Sequence, residues 1–266
     1  MTYRPSSEKT FSLLGICWDE KSSFLRGAAK APPLIREAIN SPSANSYSEL
    51  GTEIGSHLID DFGDFVPANY FDIHQRISNI QQINHLLVLG GDHSISYPII
   101  KAYFEKGLEF EILQIDAHGD LYDSFDGDRY SHACPFARIM EEDLCKRLTQ
   151  IGVRTLTTHQ RQQVTRYKVN CIEMKDFSSD KLHFDHPVYI SLDLDALDPA
   201  FAPGVSHHEP GGLSTRQVLS IIQNIEVPII GADIVEYNPI RDIHGMTAMV
   251  AAKLAKELWA KMLLNN

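Results

Sequence analysis

Three hydrophobic runs in this sequence end in clusters of carboxylates and imidazoles. They read LLVLGG-Asp92-His93, ILQI-Asp116-Ala117-His118-Gly119-Asp120 and YISL-Asp193-Leu194-Asp195. Asp193 and Asp195 stand two apart in what reads as a strand, a spacing that turns both to one face. Two carboxylates side by side in a covered sheet repel each other and lose hydration, so each must shift its pKa or find a cation. Asp116, His118 and Asp120 repeat the problem around an imidazole. Divalent cations resolve it. His93, Asp116, His118, Asp120, Asp193 and Asp195 are too many ligands for one tetrahedral zinc and suit two ions that share carboxylates. The set is rich in oxygen, with two imidazoles and no thiolate, which favours manganese while leaving iron, cobalt, nickel and zinc open. Any one cluster alone could be a capped turn or a strand-end turn. Three of them at strand tips have no such plain reading.

The elements that must carry these residues alternate. Strands are expected at 11–18, 57–62, 85–91, 110–116, 147–153, 187–195 and 227–236. Helices are expected at 31–40, 70–82, 94–106, 137–144, 158–168, 215–225 and 247–264, with 41–50 as a surface loop. Pro32 and Pro33 sit where a first helical turn tolerates them. Ser214 and Gln217 form a capping box that opens the helix at 215. Continuous Val/Ile/Leu strands separated by helices indicate a mainly parallel sheet covered on both faces. In such a sheet ligands bind beyond the carboxyl ends of the strands, so all three clusters point at one crevice. No repeat of fixed period and no Pro- or Gly-rich linker divides the chain, and one domain over 1–266 is expected.

Composition agrees with an enclosed core. Of 266 residues, 43% are hydrophobic and 22% charged. The formal net charge of −11 disfavours nucleic acid and anionic membranes and tolerates cationic substrates. Four cysteines, Cys17, Cys134, Cys145 and Cys171, form no CxxC pair and no disulfide framework. The first ten residues lack the apolar core of a secretory signal, and no run is long enough to span a membrane. These features together lead to the expectation of a cytoplasmic protein.

The same residues resemble the ureohydrolase family of arginases and agmatinases over nearly the whole chain. GGDHS (90–94), DAHGD (116–120) and SLDLDALDP (191–199) match its three metal motifs in order. GICWDEKSSFLRGAAKAPPLIREA resembles its N-terminal strand, loop and first helix, and APGVSHHEPGGLS (202–214) its long active-site loop. YSHACPF (130–136) resembles the segment with its catalytic histidine, and DIVEYNP (233–239) the strand end with its substrate glutamate. The resemblance implies a three-layer α/β/α sandwich around a mostly parallel, roughly eight-stranded sheet. It assigns His93, Asp116, Asp120 and Asp193 to the metals, with His118 and Asp195 completing two manganese sites per subunit. It makes His132, Glu236 and Asp120 the catalytic groups and implies a homo-oligomer, a trimer or hexamer.

The implied chemistry is hydrolysis of a small cationic guanidino compound to urea and an amine. An acceptor-only carboxylate at Glu236 can take two N–H bonds from guanidinium, and His132 can deliver a proton to the leaving amine. The loop between Asp120 and His132 carries Asp123, Asp126 and Asp128 against Arg129, an acidity that suits the distal ammonium of agmatine. Agmatine is therefore the expected substrate and putrescine the product, with Asp123, His207 and Glu209 as candidate tail contacts. His207-His208 stands where agmatinases commonly carry Thr-Pro, which keeps guanidinobutyrate, arginine and formiminoglutamate open. A Cys134–His132 nucleophile would leave the carboxylate clusters without a role. A binuclear phosphoesterase would want a Gly-Asn-His motif and basic groups that the sequence lacks. A one-metal deacetylase relative or a decayed binding subunit would not keep all six ligands.

Overall fold

The computed structural model describes residues 10–81, 83, 85–178 and 182–265. The polar stretch that argued against a leader falls mostly at 1–9, outside the described residues, as does Gln82 at the end of the helix expected over 70–82.

One eight-stranded sheet runs through the molecule in the order β2-β1-β3-β8-β7-β4-β5-β6. The strands are β1 (Phe11–Ile16), β2 (Ile59–Phe65), β3 (Leu86–Leu89), β4 (Glu111–Ile115), β5 (Leu148–Ile151), β6 (Asn170–Ile172), β7 (Val188–Asp193) and β8 (Ile229–Val235). Every pairing is parallel. Parallel strands need crossovers that lay helices on the sheet, which is why the central strands are apolar on both faces. β6 is the strand the sequence does not announce. It has three residues at the sheet edge, too few for a readable alternation.

The crossovers build the other two layers. The helices are α1 (Ala31–Ile39), α2 (Asp72–Ser78), α3 (Ser96–Glu105), α4 (Pro135–Glu141), α5 (Thr158–Arg166), α6 (Thr215–Gln223) and α7 (Met246–Leu264). α1, α6 and α7 bury Ile35, Val218, Ile222, Leu254 and Leu258 against Leu87, Leu113, Ile190 and Leu192 of the sheet. On the opposite face α2, α3 and α4 bury Ile73, Ile77, Ile99, Tyr103, Phe136 and Ile139 against Leu86, Val88, Ile112 and Tyr189. Successive strand residues thus serve opposite cores, as the two-residue strand period requires. α1 begins with prolines in its first turn. α6 opens on the expected Ser214–Gln217 capping box, and α5 opens on an equivalent box formed by Thr157 and Gln160.

The sheet's centre is what positions the chemistry. β3, β8, β7 and β4 are consecutive neighbours, and their carboxyl ends lie level. Leu89 pairs with Ile234, Ile234 with Leu192, and Leu192 with Ile115. Four chain segments therefore leave the sheet side by side.

Candidate metal centre and active site

His93 follows β3 through Gly90 and Gly91. The Gly91 backbone runs so close to β1 that a Cβ there would strike the Trp18 carbonyl. Asp92 N donates to Trp18 O at 2.9 Å, and Glu236 N, beyond β8, donates to Gly91 O at 2.8 Å. His93 Nδ1 is then aimed at three carboxylates: Asp116 Oδ2 at 3.1 Å, Asp120 Oδ2 at 3.1 Å and Asp193 Oδ2 at 3.2 Å. A second group gathers beside it, with His118 Nδ1 3.0 Å from Asp195 Oδ2 and 3.6 Å from Asp116 Oδ1. Asp116 belongs to both groups.

The main chain holds these carboxylates by their outer oxygens. His118 N donates to Asp116 Oδ1, Ala117 N to Asp195 Oδ1 and Asp195 N to Asp193 Oδ1, at 2.7, 3.2 and 2.7 Å. One expectation about this geometry is corrected. β7 ends at Asp193, and residues 194–196 form a 3₁₀ turn, so Asp195 returns to the site through that turn and not by strand periodicity. Arg154 fixes the turn from behind by donating to the carbonyls of Asp195 and Ala196 at 2.6 and 2.8 Å. Asp120 adopts a left-handed backbone with φ 46°, and Glu236 does the same with φ 64°. Such conformations are disfavoured for side chains with a Cβ and concentrate at functional sites.

The electrostatics are those of a cation site. Burial pushes Asp120 up to about 6, helped by the charge of Asp116. Asp193 is raised well above the usual carboxylate range by burial and by Asp195 and Asp116. Burial opposes charge on His93 as well, yet the facing carboxylates of Asp116, Asp120 and Asp193 hold its pKa well above the usual imidazole value. His118 is raised in the same way, chiefly by Asp195 against the effect of burial. Protons on the imidazoles are standing in for positive charge that the carboxylates demand. His93 Nδ1 is buried without a hydrogen-bond partner and faces three carboxylate oxygens. An oxygen-rich donor set around an unpartnered imidazole nitrogen, with one carboxylate common to both halves, fits a pair of divalent cations.

The centre floors a cavity of about 320 Å³ lined by His118, Asp120, Asp193, Asp195, His132, Glu236 and His207. His132 Nδ1 lies 2.8 Å from Glu236 Oε1, and its Nε2 lies 2.8 Å from Ser23 Oγ. Burial disfavours its charge, but Glu236 outweighs burial and carries its pKa up to about 9. Glu236 Oε1 also accepts from His93 N at 2.9 Å. His207 packs between the rings of His118, His132 and Phe24, at centroid distances of 5.9, 5.5 and 5.5 Å. His208 turns outward onto Pro203 O and Arg241.

Two expected tail contacts are not in the cavity wall. Asp123 is turned toward α5, where Gln163 donates to its carboxylate at 2.7 Å and Arg138 to its carbonyl at 2.8 Å. Glu209 lies beyond His208 and does not line the cavity. The other loop acids do not line the cavity either. Asp128 pairs with Lys21 Nζ at 2.6 Å. Asp126 and Gly127, both with positive φ, make a two-residue turn between Phe125 and Asp128. The sequence reading missed Ser23, Tyr122, Phe125 and the 155–157 segment with Gln160, all of which line the cavity. The Thr157-x-x-Gln160 spacing was the available signal for the last of these. Cys134 is buried under the loop with its thiol pushed up to about 12 by burial, which removes it as a nucleophile.

Comparison with known proteins agrees with this geometry. The Arginase family model matches residues 9–260. Arginase 1, mitochondrial, of Arabidopsis thaliana is 48% identical over 94% of this chain and 80% of its own length. The N(1)-aminopropylagmatine ureohydrolase of Thermus thermophilus is 33% identical over 94% of this chain and 89% of its own. The arginase structure from Medicago truncatula superposes with a TM-score of 0.90 at 45% identity, covering 96% of this chain and 88% of that one. The expected cytoplasmic location is overturned here, because plant relatives from 45% to 48% identical are named mitochondrial, or chloroplastic and mitochondrial. Cysteine usage and a polar N-terminal stretch cannot tell one reducing compartment from another. Family model, relatives and superposed structure converge with the strand-tip centre: this chain belongs to the arginase family, hydrolases that act on guanidino C–N bonds.

Proposed function

We propose that the chain hydrolyses L-arginine to L-ornithine and urea. His93, Asp116, Asp120 and Asp193 would hold one manganese ion, and Asp116, His118 and Asp195 would hold the other. The observation that carries the reading is the convergence of six ligand side chains, four of which line the cavity that Glu236 and His132 also line. When bound, two divalent cations supply the Lewis acidity that makes water a nucleophile at neutral pH.

The chain's own groups do the rest. Both bonds that Glu236 accepts from the protein fall on Oε1, which leaves Oε2 to take guanidinium N–H bonds. Its lowered pKa, to which the His132 charge contributes against burial, keeps it an acceptor. His132 carries a proton at neutral pH and can give it to the departing tail nitrogen as the C–N bond breaks. The oxygen from water stays on the carbon, which leaves as urea.

Arginine over agmatine is supported by two observations. The loop acids that favoured an ammonium tail do not line the cavity, whose wall includes Thr155, Thr157 and Gln160 at the start of α5. A helix N-terminus at the wall suits a carboxylate end. The plant relatives, from 43% to 48% identical, are arginases. They also support an organellar location. A urea-release assay with manganese-loaded protein on L-arginine, agmatine, guanidinobutyrate and formiminoglutamate tests the reading. L-Arginine should give the highest kcat/KM. Faster turnover of agmatine would replace it as substrate, and turnover of phosphate esters alone would overturn the chemistry.

A further inference from the structure

Asp233 is an aspartate in the middle of β8, fully buried between two apolar cores. A bare carboxylate there would be costly. Three hydroxyls answer it. Ser191 Oγ of β7 donates to Oδ1 at 2.7 Å, and Tyr189 Oη and Ser96 Oγ donate to Oδ2 at 2.9 and 3.1 Å. Ser191 Oγ has two further neighbours, His93 Nε2 at 2.9 Å and Ser96 Oγ at 3.3 Å. Neither Ser191 nor Asp233 touches the cavity.

The hydrogen-bond polarity along this chain is fixed from its buried end. Ser191 donates its single hydroxyl proton to Asp233. Its oxygen can then only accept from His93, which places a proton on Nε2. With Nε2 protonated, a neutral His93 offers its lone pair at Nδ1, the atom that faces Asp116, Asp120 and Asp193. The ring is further clamped edge-on against Phe136, with centroids 5.2 Å apart. We infer that Asp233 and Ser191 are positioning residues that select the ligating tautomer and orientation of His93, and so set the affinity of one of the two manganese sites. This rests on the metal assignment proposed above. Outer groups that orient ligating histidines in this way affect metal affinity by roughly 10- to 100-fold.

The test is an ion count. Purified protein and its Ser191→Ala and Ser191→Thr variants are equilibrated with chelator-buffered Mn²⁺ over a range of free concentrations. Bound manganese per chain is then measured, with thermal unfolding of the chelated forms alongside. The parent should hold two ions. Ser191→Ala should hold one at concentrations where the parent holds two, its weak site shifted roughly 10- to 100-fold and its other site unchanged. Ser191→Thr, which keeps the hydroxyl, should recover the second ion. A variant that titrates like the parent overturns the relay, and so does equal weakening of both sites in step with lower thermal stability. A parent that cannot bind a pair of ions overturns the metal assignment itself, and the relay with it.

Discussion

Glu236 bonds to His93 N and His132, and in the proposed reading its charge also serves the substrate. Glu236→Gln keeps the shape but removes the charge that guanidinium needs. A charged hydrogen bond contributes about 1.5–3 kcal/mol, so kcat/KM should fall by roughly 10- to 150-fold, with both ions retained on elemental analysis. Asp193→Asn should instead lose an ion along with turnover, because its Oδ2 faces His93 Nδ1. The His132–Glu236 pair also makes a pH prediction. The His132 pKa is raised from 6.5 to about 9, so its charged form stabilises the fold fully below pH 6.5. That contribution fades as pH rises through about 9. In chelated protein, the melting-temperature advantage of the parent over His132→Gln should shrink across that window; a constant advantage would remove the ion pair from the account. The six candidate ligands and Glu236 stand out in the sequence because a polar group near the tip of a buried strand is conspicuous, whereas His132, in a loop, stands out only through the likeness of YSHACPF to a family segment. Asp123 and Glu209 were misjudged for the opposite reason. A loop acid's direction depends on distant partners, here Gln163 and Arg138, which local sequence does not display. Asp233 offered a signal that went unused, a lone carboxylate inside the apolar run IIGADIV.

At the scale of elements, the precision of the centre depends on backbone contacts behind it. Gly91 is the tightest. A methyl group there meets the carbonyl of Trp18, which is main chain and cannot rotate aside. Gly91→Ala should cost about 1–3 kcal/mol of stability and weaken manganese binding, since the displaced segment carries His93. A chemical denaturation curve and an ion count check both parts. The long apolar strands and amphipathic helices were readable because periodicity survives over six or more residues. β6 was not, and element ends moved by a few residues throughout, since caps and turns are settled by tertiary contacts. α5 shows why this matters for function, as its capping box was overlooked and its first turn proves to be part of the cavity wall.

For the whole molecule, the two ions should act as ligands of the folded state alone. Each adds about 2.7 kcal/mol at a free concentration 100 times its Kd, so chelation should lower the melting temperature markedly and manganese should restore it. The exposed apolar side chains Ile240, Ile243 and Met246 should be covered by self-association, giving a solution mass that is a multiple of 29.9 kDa by light scattering. The strand order carries one more consequence. β8 comes last in the sequence yet lies between β3 and β7. Until it arrives, the sheet exists as two separate half-sheets, with His93 on one and every candidate carboxylate ligand on the other. A chain emerging from the ribosome therefore cannot bring His93 to its carboxylates before β8 is in place. The strand that closes the gap also delivers Glu236, so the His93 half of the candidate centre and the Glu236 carboxylate come together in one late step of biosynthesis.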